Sequence, residues 1–431
     1  MQLKGSKILI TQAHLLRYMG AEIVTLELAE YLAGQGVEVV IATHSFGYPI
    51  REEFDRIEGV TVFELWDVAL AANLEARLPD LAWIQHSIIP VVVLEHANEI
   101  LFVFHHMSSI LPAEFTMAAA LESSLATAVL FESPRSLEIH RGTGVYEDVE
   151  PDRLQVMGNA APARFGEVSP TPSAERRITV VSNHIPPELV AAFGGLREHF
   201  VLDVIGSQTE LGAAPRRVTP DTLAGTDAII SIGKTVQYSI VAGVPVYCYD
   251  HFGGPGWISR ANIEEARWQN FSGRGTGTKS TSEIVAEISE GIDDAVAEAA
   301  LVRRDWTRVY LLPERLDDLL EFASDRRRAI GDLTRQQIQA HENVQAAFGS
   351  YVREWIRMQA LSDELKDASA ELNATIVELE TDILEQEDRL TSMNETLDEL
   401  YSSRLYRTLN GIRHSWVNRT LRKLRTVRRG F

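Results

Sequence analysis

Residues 19–44 read MGAEIVTLELAEYLAGQGVEVVIATH. An amphipathic helix is expected from Gly20 to about Ala33. The tripeptide GQG (34–36) ends it, because glycine tolerates the left-handed conformation that closes helices. The run VEVVIAT (37–43) then reads as a buried strand, and KILIT (7–11) upstream is its neighbour. Strand, helix and strand in this order join parallel strands by a crossover. The pattern continues with VTVFEL (60–65), ILFVFH (100–105) and AVLFES (128–133). A second series follows in RITVVS (177–182), FVLDVIG (200–206), DAIISIG (227–233) and VPVYCYD (244–250). Between the series, residues 166–176 belong to a Pro-, Ala- and Ser-rich stretch that reads as a linker. The expected fold class is therefore α/β, with two Rossmann-like domains over 1–165 and 177–323 and a cleft between them.

The chain has 431 residues, 45% apolar and 24% charged, the balance of an ordinary globular protein with a sizeable core. Its single cysteine, Cys248, rules out an intrachain disulfide and fits a reducing, cytosolic compartment. No run approaches the ~18 apolar residues of a membrane span. The opening MQLKGSKILITQAH reads as a first strand, not a signal peptide.

The formal net charge is −20, unevenly spread. Residues 401–431 hold eight Arg and one Lys without Asp or Glu, a charge of +9, so the other 400 residues carry −29. An acidic body of this kind repels nucleic acid. Strand signals stop near Ala323, and 324–400 reads as helical, with Gly331 and Gly349 as candidate breaks. Residues 361–400 hold 13 acidic and two basic residues, with neither Gly nor Pro. Ile376, Leu379, Ile383, Gln386, Leu390, Met393, Leu397 and Leu400 step by three and four, the seam of a coiled coil. The upstream run Leu361, Leu365, Ala368 and Leu372 joins it through a four-residue step that relaxes the supercoil. A homo-oligomer through 361–400 is expected, the alternative being one long helix packed on its own body. In 401–431, Leu405, Leu409, Ile412 and Trp416 share a helix face ringed by arginines, which suits the surface of an anionic membrane. A solvated basic helix, or one paired with the acidic segment, is the competing reading.

Five places could carry chemistry. Gly20 opens a helix after the first strand, where backbone can approach an anion. DAIISI leads into Gly233, Lys234 and Thr235 and then a helix. This is not a Walker A loop, since Ala228 stands where its first glycine would be. A helix N-terminus bearing Lys and a hydroxyl nonetheless suits a diphosphate. The segment YDHFGGPGW (249–257) offers Asp250 and His251 as an acid–base pair, and Gly253, Gly254 and Gly256 as backbone that closes over a sugar or phosphate. Arg274 in NFSGRG (270–275) adds a cation. His105 or His106 at a strand end is a further candidate, and each of these features also has a purely structural reading. No HExxH or DxD motif appears, so no metal site is expected.

The order of these segments resembles the GT-B glycosyltransferases of the family-4 type. MGAEIVTLELAEYLAGQGVEVVIATH is similar to their opening GGAE, LA-x-x-L and G-H-E-V. FVFHHMS (102–108), VLFESPRSLE (129–138) and LQVMGNAAPARF (154–165) follow in the family's order, the last resembling its hinge. The resemblance covers about residues 1–165. In the second half AGVPV (242–246) is kept, but VVSNHIPPEL (180–189) lacks the family's Arg and Lys, and SIGKTVQYSIVAGVPVYCYD (231–250) lacks its E-x7-E glutamates.

The resemblance implies a metal-independent transferase without a cofactor, moving sugar from a nucleotide-sugar to a glycan or lipid-linked acceptor in surface-polysaccharide or cell-envelope synthesis. By it, His105 falls near the donor sugar. Donor binding is expected from Gly20, Gly233, Lys234, Thr235, Gly253, Gly254 and Arg274, and catalysis from His105, Asp250 and His251. The acceptor would enter the first lobe beside Gly20 and His105. The enzyme would be cytoplasmic and peripheral at the inner face of the cell membrane. The missing glutamates leave room for a GT-B polyol-phosphate transferase, or for a scaffold without catalysis.

Overall fold

The computed structural model describes residues 2–169, 175–208, 211–326 and 333–427, with side chains to residue 423. It divides into two compact units, Met1–Ile356 and Arg357–Phe431.

The first unit holds two sheets. Strands β1 (Lys7–Gln12), β2 (Glu38–Thr43), β3 (Val60–Glu64), β4 (Leu81–Ile84), β5 (Leu101–His106), β6 (Ala128–Phe131) and β7 (Leu154–Val156) form one, in the order β3-β2-β1-β4-β5-β6-β7. All of its pairings are parallel; Ile10, for example, lies opposite Ile41 on one side and Trp83 on the other. The strand order reverses at β1, the switch point beyond whose carboxyl end open α/β sheets bind ligands. Along β1 the side chains alternate, Ile8 and Ile10 entering one core layer and Leu9 the other. Both layers are apolar, as a sheet covered on two faces requires.

Strands β8 (Arg177–Val181), β9 (Val201–Ile205), β10 (Ala228–Ser231), β11 (Val246–Asp250) and β12 (Gly253–Trp257) build the second sheet, in the order β12-β11-β10-β8-β9. It is parallel except for β12, which turns back antiparallel on β11. Val246 and Cys248 face one core layer, and Tyr247 and Tyr249 the other. Of the linker, 170–174 lie outside the described residues, as does Gly331.

Two boundaries differ from the sequence reading. Helix Thr281–Tyr310 belongs to the second lobe, but Leu312–Asp325 returns to the first. Its Leu312, Leu316, Leu319 and Leu320 sit in the core beneath the first sheet. The chain crosses at Leu311, whose extended backbone interrupts the helix. There Ala161 N–H donates to the Tyr310 carbonyl and Leu312 N–H to the Ala161 carbonyl. Gly349, a candidate break, lies instead within the unbroken helix Arg335–Ser402. A Cβ on Gly349 would stand 2.6 Å from the His44 ring, so glycine serves close approach here and not a turn.

The seam residues of the second unit, Leu361, Leu365, Leu372, Ile376, Leu379, Ile383, Leu390, Met393, Leu397 and Leu400, are exposed. So are Leu405, Leu409, Ile412 and Trp416 on helix Arg404–Val427; residues 428–431 of the basic tail lie outside the described residues.

Candidate donor and acceptor site

The two lobes meet through charge. Helix Gly20–Gly34 of the first lobe presents Glu27 and Glu30, and the second lobe answers with Arg217, Lys234 and Tyr238. Glu27, 1% exposed, lies 2.8 Å from Lys234 Nζ and accepts the Tyr238 hydroxyl at 2.7 Å. Arg217 donates to both oxygens of Glu30 at 2.6 and 2.7 Å and to Glu53 at 3.2 Å. Arg164, from the hinge, reaches Glu30 at 2.8 Å. Burial opposes the Lys234 charge and lowers its pKa, although Glu27 pulls the other way. Burial would raise Glu30, but Arg217 outweighs it and keeps the carboxylate ionised.

Lys234 begins helix Lys234–Ala242, as expected, but its ammonium is taken up by Glu27 and by the Ala160 carbonyl at 3.1 Å. Thr235 is buried beside it. Gly233 adopts φ +58°, and its N–H donates to the Phe271 carbonyl. Gly20 stands at its helix start with open space where a Cβ would be.

Asp250, at the end of β11, accepts from His251 N–H and lies 2.6 Å from His251 Nδ1. His251 is half exposed, its ring packed on Phe252, and Arg274 covers Phe252 at 3.9 Å. The four form one cluster on the second lobe. Gly253 and Gly254 lie within β12, where added Cβ atoms would collide with the carbonyl oxygens of Gly277 and Cys248. Their missing side chains serve backbone packing, which correctly shaped loop sequence alone cannot reveal. His105 is 2% exposed, meets the edge of Trp83, and has no hydrogen-bond partner for either nitrogen among the described residues. Burial pushes its pKa down to about 3, so the imidazole is neutral; the Lys234 charge adds to this.

Apart from His105 and His106, the sequence reading missed the polar groups at the carboxyl end of the first sheet. His106 Nδ1–H donates to the Glu114 carbonyl at 2.6 Å, and its Nε2 lies 2.7 Å from Glu122, which also accepts the Tyr146 hydroxyl. Burial would lower His106, but Glu122 raises it, a closed structural network. His86 follows β4, its Nε2 3.2 Å from Glu114 Oε1. Both His86 and Ser87 have positive φ, 55° and 53°, in the region that non-glycine residues seldom enter. Glu132, just past β6, is driven up to about 7 by burial. It lines a cavity of about 100 Å³ at the hinge with Gly158, Gln237, Asn270, Phe271 and Tyr310. Glu132 Oε2, Gln237 Oε1 and the Tyr310 hydroxyl have no hydrogen-bond partner among the described residues. VLFESPRSLE carried the only sequence signal for Glu132, as a strand end; nothing local marked His86.

The part of helix Arg335–Ser402 that belongs to the first unit covers part of this edge. Phe348 and Val352 pack on Ala13 and Ile88, Trp355 stacks on His14 at 4.9 Å, and Gln345 donates to the Ile89 carbonyl. Among the described residues, no group of three or more His, Cys, Asp or Glu side chains is placed to hold a metal ion, and no helix is long and apolar enough to cross a membrane.

No known protein-family model and no curated protein matches the chain by sequence. Its structure is similar to a glycosyltransferase from Rickettsia africae ESF-5, with a TM-score of 0.50 and 15% identity over 74% of this chain and 98% of that one. It is also similar to HepE of Anabaena in complex with UDP and glucose, with a TM-score of 0.52 and 13% identity over 74% of this chain and 99% of that one. At such identities the likeness carries the fold, and the fold is GT-B.

Proposed function

We propose that the chain is a glycosyltransferase that moves a sugar from a nucleotide-sugar, with UDP the first candidate, to a glycan or lipid-linked acceptor. The observation that carries this reading is the gathering of Lys234, Arg217 and Arg164 between the two lobes, with Lys234 at the start of the helix that follows β10. In this structure the three cations are matched by Glu27, Glu30 and Glu53. A nucleotide diphosphate supplies equivalent negative charge. Opening the lobes carries the glutamates away with the first lobe and frees the cations for the donor. Lys234 and the helix N-terminus would then stabilise the departing diphosphate. Asp250 ends β11, the strand beside β10, with His251 and Arg274 in the same cluster. HepE, solved with UDP and glucose, supports UDP as the first nucleotide to try.

The exposed seam over 361–400 supports association with a second copy, and the basic helix supports docking on an anionic membrane, which would place the enzyme beside a lipid-linked acceptor. A scaffold reading is favoured by one observation: Lys234 already has protein partners. A thermal-shift screen against UDP, GDP, CDP, TDP and their sugar conjugates separates the two. A shift with one nucleotide, lost in Lys234→Ala, supports the transferase. No shift with any nucleotide favours the scaffold. Release of a 401–431 deletion from anionic vesicles supports the membrane role, and full retention refutes it.

A further inference from the structure

Transfer to a hydroxyl acceptor needs a group to take its proton as the new bond forms. His251 Nδ1 already faces Asp250, and His105 is held neutral and far below the useful range by its burial. His86 is placed differently. The consecutive left-handed residues His86 and Ser87 turn the ring inward at the carboxyl end of β4, and such strained backbone clusters where geometry serves function. Nε2 faces the Glu114 carboxylate, whose other oxygen accepts the Met107 N–H at 2.9 Å. Burial would raise Glu114, but His86 lowers it, so the carboxylate is ionised. An ionised Glu114 keeps the proton on Nε2 and leaves the lone pair on Nδ1. That nitrogen is buried and has no hydrogen-bond partner among the described residues. A carboxylate that fixes an imidazole tautomer with its second nitrogen bare is the arrangement of an activated base. The charged and titratable groups around His86 are Glu114, His44 and His105, with Arg353 facing His44. Phe348 lies across the imidazole, ring centroids 6.4 Å apart and 21° from parallel.

Resting on the glycosyltransferase reading, we propose that His86 is the catalytic base of the transfer, that Glu114 is its positioning residue, and that the helix segment around Phe348 lifts to admit the acceptor. Nδ1 takes the acceptor hydroxyl proton while the acceptor oxygen bonds to the anomeric carbon. The bond from that carbon to the diphosphate oxygen breaks on the opposite face, its electron pair leaving with the nucleoside diphosphate. Configuration inverts, and the imidazolium releases its proton to solvent.

The test uses the full chain with UDP-glucose as donor and octyl glucoside as acceptor, reading UDP release from pH 5 to 9 and donor binding by thermal shift. His86→Gln is expected to lower kcat at least 100-fold with the KM for UDP-glucose within threefold of wild type. Glu114→Gln is expected to lower kcat about tenfold and to move the acidic limb of the profile to lower pH, because the imidazolium loses its carboxylate. Phe348→Ala is expected to speed carbethoxylation of His86 by diethyl pyrocarbonate. Donor binding with His86→Gln turnover equal to wild type, zero in both included, overturns the proposal alone. No donor-dependent shift in wild type overturns the transferase reading and the proposal with it. If His86→Gln does not fold, an unchanged rate and pH profile in Glu114→Gln overturns it. Equal protection of His86 in Phe348→Ala refutes the route of access and the proposal.

Discussion

Replacing Glu27 with Gln tests the charge contact between the lobes most directly. The carboxylate is 1% exposed and holds Lys234 at 2.8 Å and the Tyr238 hydroxyl at 2.7 Å, with Arg164 and Arg217 both at 3.7 Å. Removing one partner of a buried ion pair costs about 3–5 kcal/mol, because the other charge stays desolvated. The glutamine carbonyl can still accept from Tyr238, and Lys234 keeps the Ala160 carbonyl, so the lower end, about 3 kcal/mol, is expected. Lys234→Met alone should cost somewhat less, since Glu27 keeps the Tyr238 hydroxyl and the two arginines at 3.7 Å. The double variant buries neither charge and should recover at least about 2 kcal/mol of the summed single losses, the non-additivity of a direct pair. Urea unfolding followed by tryptophan fluorescence and far-ultraviolet circular dichroism gives the three free energies, provided both signals report one transition. Single losses below about 1 kcal/mol, or strict additivity, would refute the claim that this pair joins the lobes.

Glu132, with a pKa of about 7 against 4.5 in the unfolded chain, binds more protons folded than unfolded between those values. Its contribution therefore falls as pH rises from about 4.5 to 7, by about 3 kcal/mol in all. Glu132→Gln should flatten the stability–pH curve across that window and gain most at pH 8; an unchanged slope would count against it. Gly254→Ala, whose Cβ meets the Cys248 carbonyl, should cost about 3 kcal/mol or more by urea midpoint, whereas a purely ligand-facing glycine would tolerate it. Gly349→Ala should lose stability although alanine ordinarily gains about 1 kcal/mol in a helix, and pairing it with His44→Ala should restore the gain.

Much of the architecture was legible in the order of strands and helices. KILIT, VEVVIAT and ILFVFH lie buried in β1, β2 and β5 of one parallel sheet, because a strand covered on both faces must be apolar throughout. Gly233 and Lys234 were legible as a helix start for the same local reason, a glycine turn after a buried strand. The partners of Lys234 were not, since Glu27 lies 207 positions away and its helix looks amphipathic with or without that contact.

The alternation of apolar runs determined by itself that the chain forms two α/β lobes, and the three- and four-residue steps marked the helix beyond them, because those patterns are local. Only the tertiary structure decided what each polar group does. It joined Lys234 to Glu27, packed Gly254 on a carbonyl, returned Leu312–Asp325 to the first lobe, and placed His86 beside Glu114 under Phe348. Charge, burial and proton affinity depend on neighbours brought together by folding, and sequence separation carries no measure of that distance.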